Sequence, residues 1–153
     1  AKTDASQKKT ALAGSEKVKF FEKYDKIHIG NITAECFCSD DGKLSLGIER
    51  DNINLLFVSF HKCEDYDKLK MFGILKLFEG ANDKSADESF INAVSPRIAV
   101  ANVRAYDPFG SLDENVVLLL ENSNIDFYRT DENYTITIYT DGNSLEVRTM
   151  NEN

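Results

Sequence analysis

The stretch from Val116 to Met150, VVLLLENSNIDFYRTDENYTITIYTDGNSLEVRTM, constrains this chain more than any other. β-prone runs and turn residues alternate there closely enough to set a register. Asp141-Gly142 is the strongest hairpin signal in the chain, because glycine takes positive φ without steric cost. A two-residue turn at that point pairs Ile138 with Leu145 and Ile136 with Val147. A four-residue loop from Thr130 to Asn133 pairs Phe127 with Ile136 and Ile125 with Ile138, and a turn at Asn122-Ser123 pairs Leu120 with Ile125 and Leu118 with Phe127. All three turns gather the same apolar residues on one face, which a one-residue slip would undo. The expectation is a four-strand antiparallel meander.

Its opposite face carries Asp126, Tyr128, Thr135, Thr137, Tyr139, Glu146 and Arg148. Tyrosines among threonines offer apolar area and hydroxyls at little entropic cost, the chemistry of a protein- or sugar-binding surface. Tyr128, Tyr139, Thr135, Thr137 and Arg148 are therefore the candidate partner or ligand surface.

Upstream, a hairpin from Lys26 to Arg50 closes at Asp40-Asp41-Gly42. A three-residue loop with Gly42 left-handed sets Cys38 against Leu44, Cys36 against Leu46 and Ala34 against Ile48, whereas a two-residue turn mixes the faces. Ile53 to Lys62 is apolar on both faces and reads as a central strand. Tyr66 to Phe78 is ambiguous and is read as a strand. Ser85 and Glu88 form a capping box for a helix that Pro96 ends. Arg97 to Tyr106 is a further strand, with Ala99, Ala101 and Ala105 on a face that another element approaches closely. Ser15 to Lys26 has the spacing of a short amphipathic helix.

The fold class expected is mainly β: an antiparallel β-sandwich or flattened barrel of about eight or nine strands, with an N-terminal helix and one inserted helix. The length suits one domain, residues 16–153, preceded by a basic polar arm, residues 1–15. No apolar run approaches the roughly 18 residues of a membrane span, so a soluble chain without membrane contact is expected.

Charge separates arm from body. Residues 1–26 hold seven lysines against four acids, and residues 27–153 hold 11 basic against 22 acidic side chains. An acidic body repels a phosphate backbone, so nucleic acid is disfavoured except through the arm. Lys2, Lys8 and Lys9 of that arm are suited to a neighbour's acidic surface, pointing to a protein partner or homo-oligomer.

Metal chemistry has one candidate set. Cys36, Cys38, His61 and Cys63 place soft ligands at i and i+2 on two strands, and four of them would satisfy tetrahedral zinc. Structural zinc normally uses a turn-bearing C-x2-C, and Cys36 and Cys38 already fit an apolar face, so the set is read as core and no cofactor is expected. Three cysteines give no disulfide framework, which favours a reducing, cytoplasm-like compartment or a virion. Neither His28 nor His61 lies in a catalytic motif, which leans the reading away from an enzyme. The leading expectation is a non-enzymatic structural or protein-interaction subunit, such as a component or accessory of a virus or phage particle. A small-ligand or carbohydrate-binding sandwich or barrel module is the alternative, and a small enzyme using His61 or His28 the third.

Overall fold

The computed structural model describes residues 22–38, 44–59, 69, 71–78, 81, 86–106 and 112–150. Its main feature is one seven-stranded mixed sheet. In chain order the strands are β1 (Lys26–Ile29), β2 (Ile32–Cys38), β3 (Ser45–Arg50), β4 (Ile53–Val58), β5 (Ile74–Leu77), β6 (Ile98–Ala101) and β7 (Asp126–Arg129), and they lie side by side in that same order. β1 to β4 are joined antiparallel, while β5, β6 and β7 each run parallel to the strand before. Parallel neighbours need crossover connections, and the last two carry helices: α1 (Glu88–Val94) precedes β6 and α2 (Glu114–Asn122) precedes β7. A one-turn helix, α3 (Thr130–Asn133), leads into a separate two-stranded hairpin of β8 (Ile136–Thr140) and β9 (Leu145–Thr149).

This architecture corrects the antiparallel sandwich or barrel. The overturning element is Val116 to Leu120, expected as a strand and found as the body of α2. Asp113 caps it, its Oδ1 accepting the Asn115 N–H at 2.8 Å, and Val116 and Leu120, one helical turn apart, are its buried residues. A run of five apolar side chains fits both periods over so short a length, and the cap decides between them. The pairs Leu120–Ile125 and Leu118–Phe127 therefore do not form, and β7 pairs with β6 instead of β8. Phe127 and Ile136 lie in different sheets.

The β8–β9 hairpin does form, two residues out of the expected register. Ile138 faces Val147, Thr140 faces Leu145 and Ile136 faces Thr149. The loop is Asp141 to Ser144, because the Asp141 side chain accepts the N–H groups of Asn143 and Ser144 at 2.9 and 2.7 Å and closes a wider turn. An even shift leaves the same residues on the same face, which is why Ile136, Ile138, Leu145 and Val147 still share one.

Elsewhere the sequence is followed closely. Cys36 opposes Leu46 and Ala34 opposes Ile48, while Cys38 meets Ser45 across an irregularity. β4 is central. The helix over 88–94 is capped by Asp87, whose Oδ1 accepts the Phe90 N–H at 2.8 Å, and it ends at Ser95 in the left-handed conformation; Ser85 lies outside the described residues. Among the described residues of the segment Tyr66 to Phe78 the strand is Ile74–Leu77, and of Arg97 to Tyr106 it is Ile98–Ala101. Of the N-terminal helix, residues 15–21 lie outside the described residues, and 22–25 form a turn before β1.

The core sits on one face of the sheet. Leu56, Val58, Leu75, Leu77, Ala99 and Ala101 pack there with Phe90, Ile91 and Val94 of α1 and Val116 and Leu120 of α2. The alanines of β6 are fully buried and let the helices approach, as their small size leads one to expect; Ala105, beyond the strand, is exposed. Each large side chain so buried contributes about 1.5–3 kcal/mol. The opposite face presents Ile48, Leu55, Ile74 and Ile98 in one row and Leu46, Phe57, Lys76, Val100 and Tyr128 in the next. The β8–β9 hairpin lies over this face, its loop pinned where the Asn52 N–H donates to the Gly142 carbonyl at 3.0 Å and Asn52 Nδ2 to Asn143 Oδ1 at 2.8 Å.

Candidate functional site at the carboxyl ends of the parallel strands

Strands β4 to β7 all end at one edge of the sheet, so the segments that follow them cluster there. In open sheets with parallel strands this edge is where ligands are held. Here it opens into a cleft of about 220 Å³ between the sheet and the hairpin, lined by Leu55, Phe57, Ile74, Lys76, Val100, Asn102, Thr130, Ile136 and Ile138. Six apolar side chains form the walls, and three polar ones stand at the strand ends.

Lys76 is the chemically distinctive member. β5 reads I-L-K-L, and its alternation directs Leu75 and Leu77 into the helix-side core and Lys76 to the other face between Phe57 and Val100. Its Nζ donates to the Leu77 carbonyl at 2.8 Å and lies 4.6 Å from the centre of the Phe78 ring, which itself tilts against Phe57. Burial disfavours the charged form and pulls its pKa from the ordinary 10.5 down to about 8. No carboxylate among the described residues pairs with it.

The far wall is tied together by hydrogen bonds and ion pairs. Thr130 Oγ1 accepts the Val103 N–H at 2.8 Å and donates to the Val103 carbonyl at 2.7 Å, joining the segment after β6 to the start of α3. Arg129 Nε donates to Asp131 Oδ1 at 2.8 Å, its second arm engages Asp131 Oδ2, and Nη1 reaches Glu132 at 3.2 Å. The hydrogen bond with Arg129 holds Asp131 below the usual carboxylate range and, first among its causes, raises Arg129. The Arg129 N–H donates to Asn133 Oδ1 at 3.0 Å. These charges are spent on one another, so they position the wall and leave Lys76 as the group facing the cleft.

The surface inferred from the sequence is divided between two sheets: Thr137, Tyr139 and Arg148 share a face of the hairpin, and Tyr128 is not among them. Tyr128 is half-buried on β7, two strands from Lys76 on the same sheet face, whereas Tyr139 belongs to the hairpin. Their expected union rested on a β7–β8 pairing that is absent. Tyr139 is 51% exposed, with the Arg148 guanidinium 4.9 Å from its ring centre, and Arg148 Nε donates to Glu146 Oε1 at 2.7 Å. Thr137 pairs with Arg148, and Thr135 is exposed at the base of the hairpin. Lys2, Lys8 and Lys9 lie outside the described residues. So do His61, Cys63 and the side chain of Cys38, while Cys36 is buried beside Leu46.

No family model matches this sequence, and no curated protein matches it. Solved structures do match its fold. A candidate Zn-dependent hydrolase of the metallo-β-lactamase superfamily from Thermotoga maritima superposes with a TM-score of 0.51 at 7% identity, over 71% of this chain and 70% of the other. A candidate metal-dependent hydrolase from Parabacteroides distasonis gives a TM-score of 0.53 at 17% identity, over 82% of this chain and 61% of the other. The chain shares the fold of these two proteins. The structural and virion reading, drawn from the basic arm and the lack of a catalytic motif, and the carbohydrate-binding sandwich are overturned by this likeness to two candidate hydrolases.

Whether a metal suits this chain depends on its donors. Three protein ligands around an ion are the minimum that hydrolytic zinc uses. Among the described residues no three His, Cys, Asp or Glu side chains come together, and Asp131 and Glu132, next in sequence to Thr130, are engaged by Arg129. The described residues do not fit a metal. Segment 60–68, which follows β4 and carries His61, Cys63, Glu64, Asp65 and Asp67, lies outside them.

Proposed function

We propose that this chain is a hydrolase acting on an acyl compound held at the carboxyl ends of β4 to β7. The observation that carries the reading is the cleft itself: an apolar cavity with one desolvated lysine at the strand ends of a hydrolase-like fold. Attack of water on an acyl carbon moves negative charge onto the carbonyl oxygen. A fixed ammonium in a site of low dielectric lowers the energy of that charge far more than one in water does. Lys76 is placed for this role, and the Asn102 side chain at the end of β6 is a neutral donor beside it. With a pKa near 8, most of the lysine is charged at neutral pH.

The test is turnover by the full chain of a panel of aryl esters, thioesters, lactams and phosphodiesters, each with and without added zinc or manganese. Hydrolysis of an acyl substrate, lowered at least tenfold in Lys76→Met and retained in part by Lys76→Arg, is expected. Loss of a preorganised charge at a developing oxyanion costs about 2.7–4 kcal/mol, so the lysine variant should be conspicuous. Turnover of none of the panel, or of phosphodiesters alone, overturns the reading.

A further inference from the structure

The cleft at Lys76 does not end beneath β8. A second cleft, also about 220 Å³, is lined by Ile32, Ile48, Arg50, Ile53, Leu55, Ile74, Ile138 and Thr140. The two share Leu55, Ile74 and Ile138, so they form one groove between the sheet and the hairpin. It runs along β4 from Ile53 to Phe57, about 13 Å at the rise of a strand. Its middle is lined by Ile48, Leu55, Ile74 and Ile138, with Lys76, Asn102 and Thr130 at one end and Arg50 and Thr140 at the other.

We propose that this groove holds a single unbranched acyl chain, with the carboxylate or ester carbonyl at Lys76 and the hydrocarbon tail under Ile138 toward Ile53. This deepens the hydrolase reading by naming the substrate class, and it rests on that reading only for the reaction, not for binding. Three features of the molecule select this occupant. Between the polar groups at its two ends the groove is lined by Ile, Leu, Val and Phe, which suits methylene groups, and Arg50 at the far end is paired with Asp51 at 3.7 Å. The cation at the head has no carboxylate partner among the described residues, although the body from residue 27 onward holds 22 acids against 11 bases. An anion is therefore drawn to this spot and repelled from most of the surface. The sheet face is only partly closed by the hairpin: Leu55, Phe57 and Ile138 are half-buried, so a tail laid along the groove removes apolar surface that folding has left wet.

The experiment is calorimetric titration of the full chain at neutral pH with decanoate, octanoate and 1-decanol. Decanoate is expected to bind, and octanoate to bind more weakly by roughly fifteenfold, because each of the two missing methylenes is worth about a fourfold change in affinity. Lys76→Met should weaken decanoate at least tenfold and leave 1-decanol unchanged, since a hydrogen bond to a charged group is lost and the apolar groove is kept. Lys76→Arg should restore decanoate binding. A second variant, Ile138→Phe, fills the groove without adding charge and should lower binding of both ligands; thermal melting checks that it folds. Equal binding of decanoate and octanoate, or decanoate binding indifferent to Lys76→Met, overturns the proposal. So does a dimer that buries this face and binds no ligand. Decanoate binding without ester turnover sinks the hydrolase reading and leaves the groove; turnover that decanoate does not inhibit does the reverse.

Discussion

Gly47 shows how tightly individual positions are specified on the helix side of the sheet. A Cβ there would stand 2.6 Å from Phe37 Cε2 and 2.9 Å from two atoms of the Phe72 ring, and those rings already meet edge to face with centroids 5.6 Å apart. Gly47→Ala is expected to destabilise the fold by about 1–3 kcal/mol, the usual cost of overpacking a filled core; urea unfolding with an unchanged m-value would measure it. Ser45, on the neighbouring row, is the reverse case. Its hydroxyl is buried without a partner among the described residues, so Ser45→Ala should raise stability by about 1 kcal/mol. Lys76 adds a pH dependence. Its folded pKa lies below the unfolded one, so the unfolded chain holds more protons between pH 8 and 10.5. Stability should therefore rise with pH across that window, by on the order of 1 kcal/mol or less once screening of a partly exposed group is allowed for. Lys76→Met should abolish that rise, and thermal melts from pH 7 to 11 would reveal it.

At the scale of elements, the hairpin depends on the Asp141 carboxylate. The N–H groups of Ser144 and then Asn143 hold its pKa down at about 2. A depressed carboxylate contributes stability that is present above its unfolded pKa and lost as pH falls through the folded one. Asp141→Ala should accordingly loosen β8–β9 at neutral pH, and its effect should shrink as pH falls toward 2 and vanish below it, measured by amide exchange at Ile138 and Val147. The helices show the same dependence on short polar side chains. Asp87 and Asp113 each satisfy an N–H at the start of a helix, and either substitution by alanine typically costs about 1 kcal/mol.

For the whole molecule, the hairpin is a cover. It shields the row Ile48, Leu55 and Ile74 and the row Phe57 and Val100, which would otherwise form a continuous apolar patch on the sheet. A chain ending at residue 133 should bind a hydrophobic dye strongly and self-associate, whereas the full chain should do neither to that degree. The same deletion removes Ile136 and Ile138 from the groove, so acyl binding should disappear with it.

Much of the local structure was legible in the residues. Cys36 against Leu46, the centrality of β4, the helix ended by Pro96 and the shared face of Ile136 and Ile138 all follow from alternation, capping and turn chemistry, which act over a few residues. Lys76 was the signal available and missed: a lone lysine among Ile, Leu and Leu in a short strand marks a charge placed on an apolar surface. The joining of Lys76, Asn102 and Thr130 had no signal at all, because they come from three segments brought together only by parallel pairing.

What the sequence determined by itself is therefore the face that each short element buries. Side-chain period is local, and even a two-residue slip in β8–β9 preserves it. Which strand lies beside which was decided by tertiary structure. Val116 to Leu120 suited strand and helix alike, and once Asp113 capped it as α2, β7 was separated from the antiparallel run and had to pair parallel to β6. That one choice converts a meander into a mixed sheet, parts Tyr128 from Tyr139, and opens the cleft at Lys76.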